Sequence, residues 1–208
     1  MIVPEFLQFS TGSNALENRV QFNRYDATGN PTEVARINDV KTAVIYGYNN
    51  TLPIAQIKNA AINHVFHTSF EGGEEGGNSA VNDGRTGNAS RTGGYSKALN
   101  GLLPSADYTL SYWQKVSGTW ILQRQTISLN STTTYYTINL LGQVDEVRFY
   151  PQRAQMTSYT YEAGKGITSV TDPNNISIFY FYDEFGRLKI IKDDQGKILK
   201  TYQYHYKQ

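Results

Sequence analysis

Six aromatic side chains in the middle of this 208-residue chain could do chemistry on sugars: Tyr95, Tyr112, Trp113, Trp120, Tyr135 and Tyr136. A sugar ring stacks on an exposed aromatic plane while amides and hydroxyls fix its orientation. Side chains alternate along a strand, so "LSYWQK" puts Leu110 and Tyr112 on one face and Trp113 on the other. Trp113 is therefore expected to pack. Trp120 follows the Ser117-Gly118-Thr119 turn and is expected to be exposed, flanked by polar groups such as Gln123, Arg124 or Asn139. The candidate sugar-binding set is Trp120, Tyr95, Tyr135 and Tyr136. The alternative is that both tryptophans are packing residues of a small sandwich.

Catalytic patterns are poor by comparison. The histidines are His64, His67 and His205, with no nucleophile motif such as GxSxG beside them. Glu74-Glu75 sits in the Gly-rich "EGGEEGG", expected to be too mobile to hold an acid and a base at fixed separation. That stretch is acidic, lacks a lysine and opens no helix, so it is no phosphate loop. Asp193-Asp194 falls in a turn, where capping accounts for it. The chain reads as a non-enzyme.

Composition narrows the class further. A formal net charge of +1 gives no drive toward nucleic acid or anionic membrane. With no cysteine, disulfides and thiolate chemistry are excluded. The opening "MIVPEFLQFS" lacks a basic, apolar leader, and nothing is long enough to span a membrane. The bias is toward 16 Tyr, 9 Phe and 18 Gly, which favours strands joined by tight turns.

The elements that would carry these residues fall into three stretches. "YDATGNPTEVARINDVKTAVIYGY" from Tyr25 sets a Tyr-Asp-x-x-Gly turn before an alternating strand, then a second turn at Asn38-Asp39. "YFYDEFGRLKIIKDDQGKILKTYQYHY" repeats the scheme from Tyr180, with Asp194-Gln195-Gly196 as its second turn and Tyr202, Tyr204 and Tyr206 on one face of a closing strand. A looser copy begins at Tyr159, with Glu162 at the Asp position and Asp172-Pro173-Asn174 as the second turn. Asp caps its own turn, and Gly takes the positive φ that closes it. Each unit is a ribbon, marginal alone, that needs neighbours on its edges. Residues 64–156 break this period. Short strands there, "DYTLSYWQKV", "TWILQRQTISL", "TTYYTINL" and "VDEVRFYP", suggest an antiparallel sandwich. Its entry near Asn63 and exit near Met156 must then be close, and the flanking ribbons should pair.

These flanking residues resemble the YD-repeat, or RHS-repeat, family of tandem β-hairpins. The matching stretches are "YFYDEFGRLKIIKDDQGKI", "NRYDATGNPTEV" and "YGYNNTLPIAQIKNA", about half the chain. In that family the hairpins spiral into large extracellular or toxin-enclosing shells; about three repeats stand here. The middle stretch, with "SFE", "TGGYS", "LPSADYTLSYWQK" and "VDEVRFYP" in that order, is similar to the galactose-binding-like jelly roll of many carbohydrate-binding modules. That resemblance implies a structural calcium held by Glu71 and Asp145, with Asp83 as a further loop carboxylate. Calcium takes six to eight oxygens, so ligands from two distant strands would staple the sandwich. Sandwich and repeats together resemble very large surface proteins of Bacteroidetes-type bacteria.

The expectation is thus an all-β chain. Antiparallel YD-repeat hairpins at 1–63 and 157–208 flank an inserted jelly-roll-like β-sandwich at 64–156. The function expected is a non-catalytic structural and adhesive segment of a larger secreted or cell-surface RHS-type protein, with carbohydrate as possible partner. The competing expectations are a purely architectural spacer of an RHS shell and a glycoside hydrolase.

Overall fold

The computed structural model describes residues 5–9, 16–72, 74–75 and 80–205. Eighteen strands occur among them and no α-helix. The first five are β1 (Glu5–Phe9), β2 (Leu16–Tyr25), β3 (Pro31–Arg36), β4 (Thr42–Gly47) and β5 (Leu52–Lys58). A single 3₁₀ turn, Ile62–His64, marks the exit from them. Then follow β6 (Phe66–Thr68), β7 (Ala80–Val81), β8 (Ala89–Ser90), β9 (Tyr95–Asn100), β10 (Asp107–Val116), β11 (Thr119–Ser128), β12 (Tyr135–Leu140) and β13 (Gln143–Pro151). The chain closes with β14 (Gln155–Glu162), β15 (Gly166–Thr171), β16 (Ser177–Tyr182), β17 (Leu188–Lys192) and β18 (Ile198–Thr201).

The two ends of the chain make one ten-stranded antiparallel sheet, ordered β1-β2-β3-β4-β5-β14-β15-β16-β17-β18. Its two halves meet where β5 pairs with β14, from Gln155 opposite Lys58 to Ser158 opposite Ala55. Four of its turns share one local chemistry. Asp26, Asp172, Asp183 and Asp193 each accept, through Oδ1, the backbone N–H two residues and four residues ahead. The third residue ahead takes positive φ: Gly29 at 90°, Asn175 at 65°, Gly186 at 73° and Gly196 at 82°. This explains the Asp-x-x-Gly spacing, because the carboxylate satisfies the two amides that the reversal leaves unpaired. The capping residue of the last turn is therefore Asp193, one position before the expected Asp194. Glu162 does not cap as an Asp would; its carboxylate pairs with Lys165 at 2.6 Å. The closing tyrosine strand also ends early, at Thr201. Residues 202–205 are not strand, and Tyr206 lies outside the described residues.

Between β5 and β14 the chain builds a four-stranded sheet, β11-β10-β13-β6, and a two-stranded ribbon, β12-β9. An apolar core fills the space between them, with Tyr108 and Leu110 from β10, Val144, Val147 and Phe149 from β13, Tyr95 and Leu99 from β9, and Ile138 and Leu140 from β12. Tyr112 packs against this core, opposite in sense to Trp113, as alternation demands. Strand β13 should break that alternation, since two charged residues separate Val144 from Val147. A β-bulge restores it. Trp113 opposes Asp145 and Ser111 opposes Arg148, so Glu146 and Val147 together face Tyr112. Glu146 takes φ 52°, a left-handed conformation that costs a non-glycine residue about 1–3 kcal/mol.

The other face of the four-stranded sheet lies on the long sheet, and that contact is polar. Ser158, Thr160, Ser169, Thr171 and Ser177 are each at most 1% exposed. Against them sits Arg148, fully buried, donating to Asp172 O and Asn175 Oδ1 at 2.9 Å and to the Met156 carbonyl. Ser111 reaches Asn175 at 3.1 Å. Glu146 accepts from Thr86 Oγ1 at 2.8 Å and from Ser158. A smaller apolar cluster, with Ala43, Ala55, Ile57, Met156 and Tyr150, closes the other end of the contact.

Candidate functional site

The residues expected to bind sugar separate when placed on these layers. Tyr95 is only 8% exposed and belongs to the core, stacked on Phe66 with ring centroids 6.3 Å apart and set edge-on to Phe70 at 5.1 Å. It offers no platform. Its place at the start of β9 points it inward, and burial pushes its hydroxyl well above the ordinary tyrosine range. Tyr136 is half-buried against the same core and stacks on Phe149 at 5.7 Å. Tyr135, its neighbour, faces the other way and is 64% exposed.

Tyr135 stands at one end of the outer face of the β9–β12 ribbon. Cross-strand pairing sets Tyr135 beside Asn100, Thr137 beside Ala98 and Asn139 beside Ser96. All six are exposed, and Ser96 donates to Asn139 Oδ1 at 2.8 Å. The result is a small shelf with one aromatic ring, two amides and two hydroxyls. Asn139 belongs to this shelf, a layer away from Trp120.

The two tryptophans share the opposite face of β10 and β11. Trp120 pairs with Lys115, and Trp113 with Leu122. Both are half-buried, so the expected contrast of a core Trp113 and an exposed Trp120 does not hold. Trp113 is outside the apolar core because its face meets the long sheet. The Arg85 guanidinium lies 4.2 Å over its ring and 5.3 Å over that of Phe179 from β16. Trp120 carries the Lys115 ammonium at 5.5 Å.

The carboxylates form a second group. Asp145 is fully buried; its Oδ2 accepts the Arg85 and Thr86 N–H groups at 2.6 and 3.0 Å, and its Oδ1 that of Glu146 at 2.6 Å. Glu71 Oε1 accepts the Asn88 and Ala89 N–H groups, each at 2.7 Å. The two side chains thus clamp one loop, Arg85 to Ala89, by its backbone. Gly87 is required there: its φ is +61°, and a Cβ would meet Glu71 Oε1 at 2.5 Å. Asp83 holds the base of the loop, bound to Lys115 and, at 3.0 Å, to Gln143.

These environments move the carboxyl pKa values apart. Burial raises Glu71 to about 7, with Glu74 and Glu146 adding to it and the two amides opposing. Burial and the adjacent Glu146 push Asp145 well above the ordinary range. For Glu146 burial also acts upward, but His67, Arg148 and the hydroxyls of Ser158 and Thr86 outweigh it and lower the value. In Asp83, donation from Gln143 and Lys115 lowers it.

Glu71 and Asp145 do not fit a shared calcium ion. Both Asp145 oxygens and one of Glu71 already face N–H hydrogens, which present positive charge where a cation would have to sit. Asp83 is already neutralised by Lys115. Among the described residues no cluster of His, Asp and Glu could hold a metal. The resemblance singled out these carboxylates as calcium ligands; their partner, a loop of amides 14 to 18 residues from one and about 60 from the other, was not legible.

Glu74 also departs from expectation. It is 9% exposed, and its Oε2 accepts from Thr68 Oγ1 at 2.9 Å and Ser69 N at 2.7 Å, so it anchors the end of β6. Glu75 turns outward to Lys97. His67 is buried, with Nδ1 3.1 Å from Val147 O, whereas His64 lines a cleft. Sequence reading missed Arg85 and the Glu146–Arg148 network, and gave Asp194 a capping role where the structure gives it an ion pair with Arg85. The one signal was a run of charged residues, "DEVR", inside an apolar strand.

No family model matches the chain, and no curated protein matches it. No helix among the described residues is long and apolar enough to cross a membrane.

Proposed function

We propose that the chain is a non-catalytic structural and adhesive segment of a larger secreted or cell-surface bacterial protein of the RHS type. In this reading the ten-stranded sheet is a run of YD-repeat hairpins, and the β6–β13 unit is a jelly-roll-like sandwich inserted into it as a carbohydrate-binding module. The β5–β14 ladder carries the reading, since it supports a repeat sheet that continues past the insertion. The adhesive part rests on the shelf of Tyr135, Asn100, Thr137, Asn139 and Ser96. One exposed ring flanked by amides and hydroxyls suits a neutral sugar, stacking supplying the contact area and the polar groups the orientation.

A glycan array on the purified chain tests this, with Tyr135→Ala alongside. Binding that survives in Tyr135→Ala would move the site elsewhere. No binding to any glycan would favour the second reading, a purely architectural spacer. That reading has an observation of its own: Tyr95 and Tyr136, two of the four expected sugar contacts, are occupied in packing.

A further inference from the structure

We infer that the cleft between the long sheet and the inserted unit binds a small saccharide bearing a carboxylate. The cleft has a volume of about 600 Å³, within the roughly 300–1,000 Å³ typical of small-molecule sites. Its walls come from both parts of the fold: Lys41, Asn59 and His64 on one side, Leu103, Asp107 and Arg153 on the other. This site is separate from the β9–β12 shelf and does not depend on it.

Three observations point to the ligand class. The first is charge. Lys41, His64 and Arg153 reach the cleft from three separate segments, and Asp107 is the acid among its lining residues. Asp107 Oδ1 already accepts from Ser128 at 2.6 Å. Lys41 bonds to the buried Glu33 at 2.8 Å, yet its side chain stays 55% exposed and keeps donors to spare. An anion placed here meets two cationic side chains, Lys41 and Arg153, while the one lining carboxylate is turned to Ser128 and the Glu33 carboxylate is buried behind Lys41. Burial lowers the pKa of His64; Glu33 opposes that shift, and Lys41 and Arg24 add to it.

The second observation is that the walls are fixed before any ligand arrives. Asn59 Nδ2 donates to Arg153 O at 3.2 Å across the cleft, Ala60 N to Lys41 O at 3.2 Å, and Gln152 N to Asp107 O at 2.9 Å. A preorganised site spends less of its binding energy on ordering. The third is apolar surface. Leu103 is 44% exposed at one wall, with Ala106 near it in the chain, and Ala60 and Ala61 follow Asn59 on the other wall. A uronic acid matches the whole, with a C–H face for the alanines and leucine, hydroxyls for Asn59 and Ser105, and a carboxylate for Lys41 and Arg153.

The test follows the His64 ring signals by NMR in the intact chain while D-glucuronate, D-glucose or acetate is added at constant ionic strength. His64→Gln assigns the signals. Glucuronate is expected to shift them saturably and to raise the His64 titration midpoint, because a bound anion favours the imidazolium. Glucose should shift them weakly, and acetate should need far higher concentration. Lys41→Gln and Arg153→Ala should each weaken glucuronate binding about tenfold or more, the scale of one lost charge-assisted hydrogen bond. Tyr135→Ala should leave it unchanged, whatever becomes of the shelf. Signals unmoved by glucuronate, or moved equally by acetate at equal concentration, would overturn the inference. So would full glucuronate affinity in both charge variants.

Discussion

Arg85 and Asp194 form an ion pair between residues 109 positions apart, joining the inserted unit to a turn of the long sheet. The same guanidinium is held against Trp113 and Phe179. Asp194 also accepts the Ser177 N–H at 3.3 Å, so it faces inward while its neighbour Asp193 caps the turn. These two aspartates therefore have different tasks. Arg85→Ala should destabilise by about 2 kcal/mol, combining a partly buried pair with a cation–π contact. A double-mutant cycle in urea should show coupling of about 1 kcal/mol between Arg85 and Asp194 and none between Arg85 and Asp193. Equal coupling to both would refute the assignment.

The aromatic residues should divide by layer. Tyr95→Ala removes a core ring and should cost about 3–5 kcal/mol. Tyr135→Ala should change stability by less than about 0.5 kcal/mol. Trp113→Ala should cost more than Trp120→Ala, because it also frees Arg85. Urea melts of the four variants check this order; a near-neutral Tyr95→Ala would mean that the core packs differently.

Glu71 should make stability depend on pH. Its folded pKa is about 7, raised from an ordinary 4.5. An acid whose folded pKa is raised holds its proton more tightly when folded. Its contribution is complete below pH 4.5 and declines as pH rises to about 7, beyond which the folded state holds a buried charge. Glu71→Gln keeps an acceptor for the Asn88 and Ala89 amides and removes the charge. Melting temperatures between pH 5 and 8 should fall less steeply in that variant than in the parent. Parallel curves would show that the slope comes from another group, such as Asp145.

Calcium should not matter to this clamp. Melting temperature should be the same in millimolar calcium and in excess chelator. Asp145→Ala should cost several kcal/mol, because three backbone amides lose their acceptor, each about 1–3 kcal/mol when buried and unpaired. Asp145→Asn retains one acceptor oxygen and should cost less. A rise in melting temperature with calcium, abolished in Asp145→Asn, would restore the metal.

What the sequence made legible was local. An aspartate three residues before a glycine writes its own turn, so the positions near Asp26 and Asp183 could be read directly. Alternation along β10 placed Leu110 and Tyr112 against Trp113 correctly, because it needs only the period of a strand. The strand stretches at 107–116 and 144–151 were likewise visible, the second one residue short of the observed start at Gln143. The misreadings came from long-range partners. Trp113 faces away from the core, but nothing near it in sequence shows that Arg85 and Phe179 cover it. Tyr95 has the composition of a binding residue and the address of a core residue. Glu71 and Asp145 have the donor atoms of a cation site, and only the fold shows that a loop of amides occupies them.

The ladder between β5 and β14 has a consequence for how such a chain can change. Leaving and returning strands stand side by side, about 4.8 Å apart, so the sheet requires only that whatever lies between starts and stops at neighbouring points. The face it covers offers hydroxyls at Ser158, Thr160, Ser169, Thr171 and Ser177, beside a smaller apolar patch of Ala43, Ala55, Ile57 and Met156 that needs a protein cover. The long sheet is in this sense a socket. The β5–β14 register itself sets no length for the segment between the two strands.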